Sequence, residues 1–163
     1  MYKYLKPLSF VPAIIMLCLI FSFSAQNGED SGNLSYKISY KIVETKSKIL
    51  SEKKSPEALG KEADAIHLYV RKAGHMGEYF ILALTFLFPF YVYGIRGMKL
   101  FLTAFLCAVA AAASDEYHQS FVDGRGPSVM DVFIDSSGAF SGLLFSKIIF
   151  IIRRMILKRK KGR

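Results

Sequence analysis

The chain has 163 residues, 52% of them hydrophobic, with a mean hydropathy of +0.29 and a formal charge of +9. That length allows one domain or one small membrane bundle, and the apolar residues, gathered in four nearly charge-free stretches, exclude disorder over most of the chain. The charges crowd between and after those stretches, which argues against a nucleic-acid binder, whose basic residues must cover a folded, water-facing surface.

A spanning helix needs about 20 mostly apolar residues, because the hydrocarbon core is about 30 Å thick and each residue rises about 1.5 Å. The first candidate runs from Leu5 to about Ser24, within residues 1–25. Its basic start and the small residues Ser22 and Ser24 also fit a cleaved signal peptide. The long apolar core, and Phe23 amid the cleavage position, favour a retained first span or signal anchor.

Residues 26–72 then form an extracytoplasmic segment too short for a core of its own. Leu34, Ile38, Ile42, Ile49 and Leu50 recur at mostly helical spacing among Lys37, Lys41, Lys46 and Lys48. This predicts an amphipathic helix on the outer membrane face or against the bundle. Ser55-Pro56-Glu57 has the cap, first-turn proline and acid of a helix start, so a second short helix leads toward the next span. The segment is either a tether or a lid over a site.

Three further spans fill residues 73–152. The second runs from about Ala73 to Ile95, with a kink expected at Pro89 and with Phe86, Phe88, Phe90 and Tyr91 read as lipid-facing or interfacial. The third starts near Met98. Its uncharged core, Leu100 to Ser114, is 15 residues, or about 22 Å, which is too short to cross. The helix must therefore take in Asp115, Glu116, His118 and Gln119. The fourth starts near Ser128 and ends near Ile152, with Asp131 and Asp135 at its start. Gly138 and Gly142 give it a Gly-x-x-x-Gly face, and Ala108 with Ala110 to Ala113 do similar packing work on the third. Cys18 and Cys107 lie in spans and read as packing residues.

Residues 153–163 make a tail with seven basic residues and no acid. With four spans, this tail shares a side with Lys3, Lys6, Arg96 and Lys99. The positive-inside rule then places both termini in the cytoplasm, and the segments around residues 25–72 and 119–127 outside. The reading is an all-α membrane protein: a bundle of four transmembrane helices with a short helical extracytoplasmic segment after the first span. Membrane lipids are its expected surroundings.

Six of the thirteen acids gather at the outer end of these spans. His75, Glu78 and Tyr79 share one helical face by the i, i+3, i+4 rule, as do Asp115, His118 and Gln119, while Asp131 and Asp135 are i, i+4. Between the last two groups lies the turn Asp123-Gly124-Arg125-Gly126-Pro127-Ser128. Carboxylates at membrane depth are costly and mark function. The candidate site is therefore His75, Glu78, Asp115, Glu116, His118, Gln119, Arg125, Asp131 and Asp135, with no role assigned to any one of them. Plainer duties compete: Asp131 as part of a Ser-x-x-Asp helix start, Asp123 as a turn residue, His75 as a hydrogen bonder between helices, and Arg125 as the partner of Asp131 or Asp115. The donor set suits Zn, Mg or Mn without any sharply specific spacing, so metal and cofactor are unknown. A buried carboxylate passing protons to His75 or His118 is the metal-free alternative. Arg125 suits a phosphate or carboxylate head group. No Gly-x-Ser-x-Gly elbow or Walker loop is present.

The residues also carry a resemblance. Phe23-Ser24-Ala-Gln26, then Arg71-Lys72-x-x-His75-x-x-Glu78-Tyr79, then Ser114-Asp115-Glu116-x-His118-Gln119-x-Phe121-x-x-Gly124-Arg125, followed by Asp131 and Gly138, resemble the VanZ-like family of bacterial membrane proteins. The resemblance implies a four-span bundle in the bacterial cytoplasmic membrane. It also implies a link to the cell envelope, since the founding member is associated with low-level resistance to the glycopeptide teicoplanin. Cell-envelope precursors or a glycopeptide are the partners it implies. Two expectations follow: a protein acting on envelope material at the outer face, or a non-catalytic protein whose polar cluster locks the bundle or binds a ligand.

Overall fold

A computed structural model describes residues 2–161, with side-chain surroundings from residue 6 to residue 159. Five α-helices follow a 3-10 segment, Tyr2–Phe10: α1 Val11–Ser24, α2 Gly28–Ile49, α3 Pro56–Val92, α4 Gly97–Gln119 and α5 Val129–Lys161. No strand occurs among the described residues. Among the described residues, three helical stretches are long and apolar enough to cross a membrane: Lys6–Ser24, α3 and α4.

The interior is built from small residues. Ala13, Ala83, Ala104, Ala108, Ala112 and Ala139 are buried around Tyr79, Leu82 and Leu143. The bulky apolar side chains point outward instead, among them Ile14, Leu19, Ile81, Leu102, Leu106, Leu144 and Ile148. A water-soluble core has the reverse arrangement. Small residues inside let the backbones approach, which is the packing that works where lipid competes for every apolar face. Gly138 and Gly142 take part as their spacing predicts. A Cβ on Gly138 would overlap the backbone of Met76, and one on Gly142 would lie 2.5 Å from the carbonyl oxygen of Phe80. The Gly-x-x-x-Gly face therefore holds α5 against α3.

Several local expectations are sharpened or corrected. The short helix after Ser55 and the second span are one helix, α3, of 37 residues, about 55 Å long. Ser55 caps it by accepting from the Ala58 N–H at 3.3 Å. The helix runs through a buried Pro89 to Val92. Phe86 belongs to the interior, and Phe90 packs against it and against Phe10. Only Phe88 and Tyr91 of that quartet face outward, so four aromatics in six residues do not all occupy one face. α4 does extend through Asp115, Glu116 and His118 to Gln119. α5 continues past Ile152 through the basic residues to Lys161, while Gly162 and Arg163 lie outside the described residues. Cys18 and Cys107 are both free thiols.

α2 is helical as its periodicity predicts, and of the two placements expected for its apolar stripe, the one against the bundle is excluded. Ser35, Ser39, Val43 and Ser47 are buried, and of the other helices α2 packs extensively on α3 alone. Leu34, Ile38, Ile42 and Ile49 are exposed, each by 47% or more. The apolar stripe therefore does not lie against the bundle; the serine face does, because only small side chains let two helices come this close. Each buried serine hydroxyl has a carbonyl acceptor, Ser39 on Ser35 at 2.8 Å and Ser47 on Glu52 at 2.7 Å, so burying this face strands no polar group. The turn from α2 to α3 is tied by Lys54, whose Nζ reaches Glu52 at 2.8 Å and Glu62.

Candidate functional site

The ends of α1 and α4, the middle of α3 and the start of α5 meet at one level of the bundle. Asp115 is completely buried. Its Oδ2 accepts from the Ser24 hydroxyl at 2.7 Å and from the Gln119 amide at 2.9 Å. The Gln119 carbonyl oxygen in turn accepts from Arg125 at 3.0 Å. A chain of side chains thus links α1, α4 and the loop after α4. Gln119 is placed for this by the i, i+4 spacing to Asp115, and Arg125 by the turn around Gly124, whose φ of +72° suits glycine. Arg125 bonds neither Asp131 nor Asp115; it takes the amide of Gln119 instead. Gly28 fixes the same loop from the other side, donating its N–H to the Asp123 carbonyl at 3.0 Å. Asp123 is exposed and serves this turn through its backbone.

Two further carboxylates are tied to structure. Glu116 accepts from the Ser128 backbone N–H at 2.7 Å, which holds the entrance of α5 against the end of α4. Asp131 pairs with Lys72 of α3 at 2.6 Å and receives a 3.3 Å capping contact from Ser128 through its own N–H.

The other groups have fewer partners. His75 Nδ1 stands 3.7 Å from Glu78 Oε2, beyond hydrogen-bond length. Among the described residues, the buried side-chain atoms without any hydrogen-bond partner are His75 Nδ1, Glu78 Oε2, Tyr79 Oη, Asp115 Oδ1, Arg125 Nε and Asp135 Oδ1, together with His118 Nδ1. Six of these seven belong to residues that the sequence singles out as site candidates; Tyr79 joins them from the bundle interior. Native proteins leave few such groups, and each calls for a ligand, water or ion. His118 stands apart, with its ring 5.7 Å from that of Phe21, and lines neither of the two cavities found here.

Those two cavities flank His75 and Arg71. One, of about 150 Å3, lies between α3, the end of α4 and the start of α5, and Asp131, Asp135, Glu116 and Gln119 line it. The other, of about 160 Å3, lies between α3 and the start of α2, and Glu78 and Arg125 line it beside Phe23, Leu34 and Ile38. His75 and Arg71 face both. Among the described residues, no three His, Cys, Asp or Glu side chains converge as metal ligands would. The arrangement offers the guanidinium groups of Arg71 and Arg125 beside unpartnered carboxylate oxygens of Glu78 and Asp135, which suits recognition of a charged head group and proton exchange with it.

The motif segments that meet here, the end of α1, Arg71 to Tyr79, Ser114 to Arg125 and the start of α5, all lie within residues 9–151, the stretch matched by the family described as VanZ/LLP1. This chain belongs to the VanZ/LLP1 family. No curated protein and no solved structure matches it. Long apolar helices in a VanZ/LLP1 chain are those of a membrane protein.

Three residues of this VanZ/LLP1 site, Ser24, Arg71 and Lys72, enter the sequence reading through the family motif and not as site candidates. Ser24 is the partner of Asp115, and its signal was a hydroxyl closing an otherwise apolar run. Arg71 and Lys72 were given no role at the site. Their spacing of four and three residues before His75 already put them on its face.

Proposed function

We propose that this chain is a four-span protein of the cytoplasmic membrane that acts at its outer face on cell-envelope lipid or peptidoglycan-related material, with a link to glycopeptide resistance. The observation that carries this is the set of buried, unpartnered polar atoms around His75, Glu78, Asp115, Arg125 and Asp135, gathered at one level beside two cavities. α5 serves as the fourth span, with its Arg and Lys residues beyond Ile152 in the cytoplasm, and the α2–α3 hairpin stands outside. Glu78 and Asp135 are the groups that meet the ligand, Arg71 and Arg125 draw it in, and Asp115 holds the loop that carries Arg125.

The test reads protection against teicoplanin alongside membrane abundance. Neither Glu78 nor Asp135 makes a side-chain hydrogen bond among the described residues, so Glu78→Gln and Asp135→Asn keep normal abundance and abolish protection. Unchanged protection in both variants would rule out the site. A second reading, a non-catalytic lock, is favoured by the Lys72–Asp131 pair and the Glu116–Ser128 contact. It predicts that any loss of protection follows loss of abundance.

The topology has its own test. In a Cys18→Ala, Cys107→Ala background, single cysteines at Lys53 and Asp123 react with an impermeant maleimide added to intact cells, while one at Arg154 reacts only after lysis. Labelling of Arg154→Cys in intact cells would overturn the four-span arrangement.

A further inference from the structure

The cavity between α2 and α3 has an unusual charge arrangement. Arg71 and Arg125 both line it. Neither makes an ion pair within 4 Å of a carboxylate among the described residues, whereas the neighbouring Lys72 does. Arg71 makes no side-chain hydrogen bond there, and Arg125 makes one, to the neutral amide of Gln119, which leaves its buried Nε without a partner. Burial first, and the Arg71 guanidinium second, push Arg125 below the usual arginine range. Two guanidinium groups at one cavity repel each other, and Glu78 is the single carboxylate that lines the cavity with them, so a further anion is needed to balance the pair. The planar fork of each matches the oxygens of a phosphate, which two forks can hold from two sides.

Phe23, Leu34, Ile38 and Val70 give the cavity an apolar share beside the polar Gln26, Ser31, Ser35, His75 and Glu78, and Ile38 also begins the exposed groove that runs along Ile42 and Ile49 of α2. That groove is edged by Lys37, Lys41 and Lys46 and by no acidic side chain. The polar end and the apolar track therefore meet at Ile38. A free anion would use only the first of them. A second copy of the chain would set lysine against lysine along α2.

We propose that the α2–α3 cavity is the head-group site for a phosphate-bearing amphiphile, with Arg71 and Arg125 clamping the phosphate and the hydrocarbon leaving past Phe23 and Leu34 along the Ile38–Ile49 stripe of α2. The proposal rests on the functional reading above and names its ligand class. It gives the α2–α3 hairpin a reason to turn its apolar stripe outward. No bond is made or broken in this step; it is binding only.

The test uses the full chain in dodecyl maltoside micelles, with unfolding temperature followed against added ligand. Short-chain phosphatidic acid is expected to raise the midpoint in a saturable way, because a ligand that binds only the folded state stabilises by mass action. Inorganic phosphate at the same concentration is expected to do so at least tenfold more weakly. Arg71→Gln, which breaks no hydrogen bond in the protein, is expected to weaken the phosphatidic acid response about tenfold or more. Lys99→Gln, at the other end of the bundle, leaves it unchanged, and Ile38→Ser weakens the lipid response alone. Equal responses to phosphate and phosphatidic acid would overturn the amphiphile and leave a free-anion site. An Arg71→Gln protein that folds and still responds like the parent would overturn the clamp.

The outcomes separate this inference from the functional reading. Loss of protection in Glu78→Gln with no phosphatidic acid response removes the phosphate and keeps the site. A response with intact protection in both carboxylate variants keeps the binding and removes the proposed action.

Discussion

Gly138→Ala is expected to destabilise the bundle by about 2 kcal/mol, although alanine is the better helix former. Helix propensity by itself favours the substitution by about 1 kcal/mol. Against this, the new Cβ would overlap the Met76 carbonyl and lie 2.9 Å from its carbonyl carbon. The obstacle is backbone in the middle of α3, so no side chain can rotate out of the way and the helices must separate. Overpacking of this kind costs about 1–3 kcal/mol and sometimes more. α3 and α5 share the most extensive interface of any helix pair, so a local separation loosens the whole bundle. Gly77→Ala in α3 provides the control, since nothing lies within 4 Å of its would-be Cβ. The measurement is the thermal unfolding midpoint of both variants in detergent. Equal midpoints for Gly138→Ala and Gly77→Ala would show that the close approach does not hold the helices.

The second large effect concerns Asp115. Asp115→Ala removes the acceptor shared by Ser24 and Gln119. A buried donor left unsatisfied costs about 1–3 kcal/mol, and the Ser24 hydroxyl can recover part of this by bonding a carbonyl of its own helix. A net loss of about 3 kcal/mol is expected, a large share of the roughly 5–15 kcal/mol that holds a typical domain. Asp115→Asn behaves differently. Its amide oxygen can accept in the place of Oδ2, so the links to Ser24 and Gln119 survive while the charge is lost. Its expected stability falls within about 1 kcal/mol of the parent. If Asp115 serves only the fold, Asp115→Asn also retains protection. If its charge tunes the site, the variant is abundant and inactive. An Asp115→Ala protein with the parent's midpoint would contradict the network itself.

These two residues show where sequence patterns carry and where they fail. Gly138 and Gly142 announce their role through their spacing, because small residues four apart necessarily form one patch on a helix. The helical class, the extension of α4 through Asp115 to Gln119 and the capped start at Ser55 were equally legible. Each depends on length, local periodicity or a cap within one turn. The candidate site was legible as a depth: His75, Glu78, Asp115 and Asp135 were placed at one end of the bundle because they interrupt apolar runs at matching ends, and Arg125 because its turn joins two of those ends.

Partners were not legible. Ser24 and Asp115 are 91 positions apart, and nothing in either stretch records how α1 is rotated against α4. Arg125 looked like a salt-bridge partner for Asp131, but Lys72 occupies that carboxylate and Arg125 goes to Gln119. Which of its two expected placements the apolar stripe of α2 takes was not legible for a related reason. In water, apolar residues identify the buried side; beside other helices, small residues pack closest, and the serines of α2 take that role. The sequence by itself thus determined which segments are helices, where apolar runs end and which residue types gather there. Only the tertiary structure decided helix rotation, and with it which polar groups are satisfied, which remain open to a ligand, and that Arg71 and Arg125 face one cavity. Spacing along one helix is local geometry, whereas rotation is set by the closest fit between surfaces far apart in the chain.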